Sequence, residues 1–209
     1  IKMKVLFING SPHEEGCTYT AMREIADVLE KNGIETEFKW LGKTPVGDCM
    51  VCGGCGKTNR CVLTSDPVNE ILDSAETADA FIFGSPVYYA HPTGRILSAL
   101  DRLFIAGGKY FTHKPAAAIC SARRGGTTAT FDVLNKYFTI NQMPIVSSTY
   151  WNMVHGSCPD DVKKDLEGLQ TMRNLAENMT WLLKCIELGK KSGINAPTAD
   201  KSNKTSFIR

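Results

Sequence analysis

The apolar and polar positions alternate between two periods along most of the chain. Lys4-Val5-Leu6-Phe7-Ile8-Asn9 is a nearly continuous apolar run of strand length, as expected for a strand buried on both faces. After it, Ala21, Ile25, Val28 and Leu29 fall at helical spacing, and Gly33 ends that helix. Ile34 to Trp40 alternates, which predicts a second strand with one face more exposed, near the sheet edge. A helix capped by Ser65 or Asp66, with Pro67 in its first turn, turns Ile71, Leu72 and Ala75 inward. Ala80 to Gly84 is a third strand. The helix after it starts near Thr93 and carries Ile96, Leu97, Leu100, Leu103 and Phe104 inward. Ala116 to Ser121 is a fourth strand, and Phe131, Leu134, Tyr137 and Phe138 mark the next helix. Pro144 to Tyr150 predicts the fifth strand, and Asp160 or Asp161 opens a long helix to about Leu188.

Strands alternating with helices predict an α/β fold, a doubly wound five-stranded parallel sheet with an extra long C-terminal helix. In the order 2-1-3-4-5, the loops after the first, third and fourth strands converge on one crevice, where open α/β sheets bind ligands. All three loops are rich in the right residue types. The first, Gly10 to Thr18, joins strand to helix and aims backbone N–H groups at an anion. It has five residues between its glycines and no lysine, so it is not a triphosphate-binding P-loop, and the G-x-G-x-x-G fingerprint is absent. Hydroxyls at Ser11 and Thr18 suit a single monophosphate, provided Glu14 and Glu15 face solvent. The second loop, Ser85 to Pro92, carries Tyr88 and Tyr89 and suits a planar ligand; the third runs from Ala122 to Thr128.

Composition narrows the class. The 209 residues suffice for one domain with a full core plus an appendage. The expected division is a ligand-binding domain over 1–188, with a cysteine-rich insertion at about 41–65, and a polar arm or disordered tail over 189–209. A net charge of +2 suggests neither nucleic acid nor membrane as partner. With no export signal and no apolar run of membrane-spanning length, the expected compartment is the reducing cytoplasm.

That last point changes how the eight cysteines are read. Cys49, Cys52, Cys55 and Cys61 crowd into one short glycine-rich loop as C-x2-C-x2-C-x5-C, a spacing suited to an iron–sulfur cluster. A zinc site, and thiols that are reduced or form a redox disulfide, are the alternatives. Cys120, Cys158 and Cys185 are scattered bystanders.

Gly10-Ser11-Pro12 with Gly16 and Thr18, then Gly84 to Tyr89, then Arg123-Arg124-Gly125-Gly126, resemble the three FMN-contacting loops of the NADPH-dependent FMN reductase family, which is flavodoxin-like. With the cysteine run, the chain is most similar to the iron–sulfur flavoproteins of that family, over about residues 4–188. It departs from the common pattern at His13, where Arg or Lys is frequent, and at Cys17, where Asn is frequent. The resemblance implies that Ser11, Pro12, Gly16, Cys17 and Thr18 hold the FMN phosphate, Cys17 through its backbone N–H. It implies that Ser85, Pro86, Val87, Tyr88 and Tyr89 line the flavin ring, and that Ser121, Ala122, Arg123, Arg124, Gly125 and Gly126 border its other side. Cys49, Cys52, Cys55 and Cys61 would bind a 4Fe–4S cluster, in a homodimer or a tetramer of dimers.

Electron transfer needs no nucleophile or general acid, so no catalytic residue is assigned, and His155 is read as structural. Three activities follow. The first is an FMN and 4Fe–4S oxidoreductase taking electrons from a carrier such as ferredoxin to a small acceptor. The second is an NAD(P)H-dependent reductase of flavin, quinone, azo or nitro compounds without a functioning cluster, Arg123 and Arg124 then offering a site for a nicotinamide phosphate. The third is a non-enzymatic flavodoxin-type carrier, against which the near-neutral charge argues.

Overall fold

The computed structural model describes residues 2–207; residue 1 and residues 208–209, at the outer ends of the expected domain and tail, lie outside the described residues. The elements are β1 (Lys4–Asn9), α1 (Cys17–Lys31), β2 (Glu35–Trp40), α2 (Cys55–Thr58), α3 (Val68–Thr77), β3 (Ala80–Pro86), α4 (Gly94–Gly107), β4 (Ala116–Ala122), α5 (Thr127–Ile140), β5 (Met153–His155), α6 (Pro159–Val162) and α7 (Leu166–Lys191). All five strands pair in parallel, in the order β2-β1-β3-β4-β5.

The sheet is covered on both faces, which is why its central strands read as unbroken apolar runs. Leu6, Ile8, Phe81 and Phe83 pack on one side with residues of α3, α4 and α5. Val5, Phe7, Ile82 and Ile119 pack on the other with residues of α1 and α7. β2 is half-buried along most of its length, in keeping with its place at the edge. No helix among the described residues is long and apolar enough to cross a membrane.

Three boundaries differ from the sequence pattern. The fifth strand is not Pro144–Tyr150 but Met153–His155. Pro144 has no N–H to give, and Ile145 makes only an isolated bridge to Ala116. The segment then lifts off the sheet and bonds to α7: Ser148 Oγ donates to the Thr171 carbonyl at 2.7 Å, and Asn178 Nδ2 to the Ser147 carbonyl at 2.8 Å. Pairing resumes at Cys120↔Met153 and ends at Ala122↔His155. The long helix does not start at Asp160 or Asp161. These open the short α6, and α7 begins only at Leu166, because Asp165 takes a non-helical conformation and its Oδ1 accepts the Gly168 N–H at 2.9 Å. α3 begins at Val68, with Pro67 as its N-cap residue rather than in the first turn. Beyond α7, residues 194–206 form no helix or strand, and Pro197, Thr198 and Ala199 line a hollow with Phe104, Ile105 and Ala106 near the end of α4.

Candidate functional site

The register of the central strands brings two of the expected loops side by side. Asn9↔Gly84 is the last pairing of β1 with β3, and Gly10 N–H donates to the Gly84 carbonyl at 2.8 Å, one step beyond it. Gly10 must be glycine here, because a Cβ would sit 2.7 Å from Ile96 Cβ and 3.0 Å from that same carbonyl. The loop leading into α1 is then tied down by its neighbours. Buried Asn9 accepts the Ser11 N–H at 3.0 Å and donates to the Glu14 carbonyl at 2.9 Å. Trp40 Nε1 donates to the Ser11 carbonyl at 2.7 Å, and Ser11 Oγ accepts the His13 N–H at 3.1 Å. Thr93 Oγ1, at the head of α4, donates to the Gly10 carbonyl at 2.9 Å. Glu14 and Glu15 are exposed, as an anion site in this loop requires.

α1 starts at Cys17 with Gly16 as N-cap; no side chain caps it and no acid lies in its first turn. Its leading N–H groups therefore lack intrahelical partners and favour an anion. Thr18 Oγ1 is hydrogen-bonded to Ser121 Oγ at 2.9 Å, joining the helix start to the end of β4. Burial, with the Cys158 thiol beside it, pushes the Cys17 thiol up, and Cys17 Sγ donates to the Gly156 carbonyl at 3.7 Å. A protonated Cys17 adds no negative charge to the helix start.

These elements surround a crevice of about 360 Å³ at the carboxyl ends of β1, β3 and β4. Ser11, Pro12, Cys17, Thr18, Pro86, Val87, Tyr88, Ser121, Ala122 and Arg123 line it, so the structure brings together ten of the expected flavin residues. Gly16 borders the adjoining hollow with Cys17 and Cys158. Ser85 is fully buried and gives structure: its Oγ accepts the Thr93 N–H at 3.0 Å. Tyr89 is wholly exposed and lies outside the crevice, as do Arg124, Gly125 and Gly126. Tyr89 and Ala90 form the two-residue tip of a tight turn closed by Tyr88 and His91, with φ of +50° and +61°. Gly126, at φ +89°, backs this turn; a Cβ there would lie 2.7 Å from Ala90 Cα.

Gly156 and Ser157 also line the crevice; in the sequence the stretch from Tyr150 to Gly156 reads as closing over the site or an interface, with no flavin contact assigned in it, and Ser157 is not singled out. The misplaced fifth strand put its terminal loop in the wrong place; the glycine and serine after His155 were the available signal. His155 faces a separate hollow, where its Nδ1 lies 3.6 Å from Asp165 Oδ2 and its N–H donates to that oxygen at 2.7 Å. Cys120 is buried, and its thiol is pushed up to about 12.

Cys49, Cys52, Cys55 and Cys61 line a second, smaller cavity of about 140 Å³, closed behind by Arg102, Ile105 and Ala106 of α4. Among the described residues no three His, Cys, Asp or Glu side chains converge as the ligands of one metal ion. The donor chemistry nonetheless fits a soft metal, since four thiols share one hollow and Arg102 Nε donates to Cys61 Sγ at 3.1 Å. Arg102 was also missed in the sequence, although a lone arginine in the apolar stripe of α4 was a signal.

A parallel sheet in this order, with an uncapped helix start facing a crevice at its switch point, defines a mononucleotide-binding α/β protein. Residues 3–157 match the family model described as NADPH-dependent FMN reductase, and the chain belongs to that family. An iron–sulfur flavoprotein of Methanocaldococcus jannaschii is 33% identical over 193 residues, covering 88% of this chain and 100% of the relative. An iron–sulfur flavoprotein of Archaeoglobus fulgidus is 27% identical over 191 residues, covering 85% of this chain and 94% of the relative. Among solved structures, RosB with bound 8-demethyl-8-formylriboflavin-5'-phosphate superposes with a TM-score of 0.67 at 15% identity, over 99% of this chain and 94% of that one. The chain is thus an FMN-binding flavoprotein of the flavin oxidoreductases, grouped with the iron–sulfur flavoproteins.

Proposed function

We propose that the protein is an FMN-dependent oxidoreductase that takes electrons singly from a reduced carrier protein such as ferredoxin and delivers them to a small acceptor. The observation that carries this reading is the placing of four thiols around one cavity, outside the flavin crevice and close to the surface. A bound FMN supplies exchange between one- and two-electron chemistry, and a 4Fe–4S cluster on Cys49, Cys52, Cys55 and Cys61 supplies single electrons.

The chain's own residues bind, orient and exclude. The N–H groups at the start of α1 and the Ser11 hydroxyl hold the phosphate. Pro86, Val87 and Tyr88 form one side of the ring site and Ser121 to Arg123 the other. Gly156 and Ser157 close the crevice from beyond β5. Tyr88, about half exposed, is placed to cover a ring or an acceptor from solvent. Nothing in this arrangement calls for a general acid or base.

A second reading, an NAD(P)H-linked flavin reductase without a working cluster, is favoured by one observation: Arg123, at the crevice, is exposed and available to a nicotinamide phosphate. Iron and acid-labile sulfide per FMN in anaerobically purified protein separate the two. About four of each, lost in Cys52→Ser, support the first reading. Flavin without iron after anaerobic reconstitution, together with rapid NADPH oxidation, supports the second.

A further inference from the structure

We propose that Arg102 is a positioning residue for the cysteine loop, and that through its hydrogen bond to Cys61 it sets the potential of a cluster held there; this rests on the cluster reading above. The side chains of Arg102 and Asp66 are 0% and 2% exposed, and a guanidinium buried so deeply needs partners for its N–H groups. All of its polar partners lie on residues 47–66. Nη1 donates to the Gly47 carbonyl at 3.1 Å and to the Asp66 carboxylate, Nη2 to the Leu63 carbonyl at 2.9 Å, and Nε to Cys61 Sγ at 3.1 Å.

The arginine therefore grips the loop on both sides of its cysteines, before Cys49 and after Cys61. Asn69 holds the same residue from the other side. Its Oδ1 accepts the Cys61 N–H at 2.8 Å and its Nδ2 donates to the Cys61 carbonyl at 2.9 Å. Cys61 thus has both its backbone and its sulfur fixed, whereas Cys52 stands exposed. A guanidinium N–H aimed at sulfur favours negative charge on that sulfur. Hydrogen bonds to a ligand sulfur stabilise the more electron-rich state and raise a cluster's potential. Asp66 opposes the arginine's charge, so the pair acts as an adjustable dipole behind Cys61.

The test uses three variants, Arg102→Lys, Arg102→Met and Asp66→Asn, with two readouts. The first is the midpoint potential of the anaerobically reconstituted cluster, followed by electron paramagnetic resonance. Arg102→Lys keeps a cation but loses the Nε donor, and its potential falls below wild type. Asp66→Asn leaves the arginine's charge unopposed, and its potential rises. A purely structural role would not move the two in opposite directions. The second readout is tryptic cleavage of the metal-free protein after Lys57 or Arg60 in the exposed loop, read by mass. Arg102→Met is cut there faster than wild type. Unchanged potentials in Arg102→Lys and Asp66→Asn, or equal cleavage rates, overturn the role of Arg102. Wild-type protein that takes up no iron overturns the cluster reading itself, and the tuning with it.

Discussion

Ser11 offers the sharpest test of the phosphate site. Its side chain is buried, and its Oγ already accepts the His13 N–H at 3.1 Å, which leaves its own proton to give to a ligand. Ser11→Ala removes that donor and changes little else. His13 is exposed, so its freed N–H can turn to water, and the stability cost should stay below about 1 kcal/mol. A hydrogen bond to a charged acceptor contributes about 1.5–3 kcal/mol, so FMN affinity should fall roughly 10- to 150-fold. The assay is quenching of flavin fluorescence on titration into apoprotein, with riboflavin as the second ligand. Riboflavin carries the same ring and no phosphate, so its affinity should not change. Equal weakening of both ligands would place Ser11 against the ring, and an unchanged FMN affinity would remove it from the site; either result refutes the reasoning.

The remaining predictions concern the scaffold. Ala90→Gly relieves a left-handed residue at the turn tip and should raise unfolding stability by about 1 kcal/mol in urea melts. Gly10→Val drives a side chain into Ile96 and should lower stability by about 1–3 kcal/mol or more, with loss of FMN binding in the same titration. Burial depresses the Lys114 ammonium to about 8, against opposing help from Asp79, while its Nζ donates to the Ala75 carbonyl at 2.9 Å. The unfolded chain keeps that lysine near its ordinary value of about 10.4, so it holds more protons between about pH 8 and pH 10. Stability should therefore gain from this group as pH rises through that window, and Lys114→Met should remove the gain in denaturation curves taken across it.

The central sheet was legible because Val5 to Ile8, Ala80 to Phe83 and Ala116 to Cys120 are buried on both faces, so each shows as an apolar run. The fifth strand was not, because its apolar residues are split. Ile145 and Val146 lie by the start of β4, Met153 and Val154 by its end, and a polar detour held by α7 separates them. Periodicity marks burial and gives no sign of which residues carry the ladder. The crevice was readable from loop composition at Ser11 and Pro86, and Ser121 entered through the family resemblance. Asn9 was not, because its work lies in bonds to the backbone of Ser11 and Glu14 that no pattern displays. Arg102 stood out in the apolar stripe of α4, but its partners are distant in sequence and gave no sign of its role. Tyr89 was placed with Tyr88 by the family resemblance, yet it stands wholly exposed at the tip of the turn and does not line the crevice.

Helix α4 has a consequence for how such a chain can diverge. At its head Thr93 fastens the loop between β1 and α1, and nine residues on, Arg102 fastens the cysteine loop. About 14 Å of α-helix separates the two anchors. The spacing of the two cavities is thus written into one rigid rod in the core, not into the loops that line them. Insertions or deletions within residues 49–60 alter the rim of one cavity and leave this ruler untouched. One residue added inside α4 would swing Arg102 by about 100° and take it off its loop altogether.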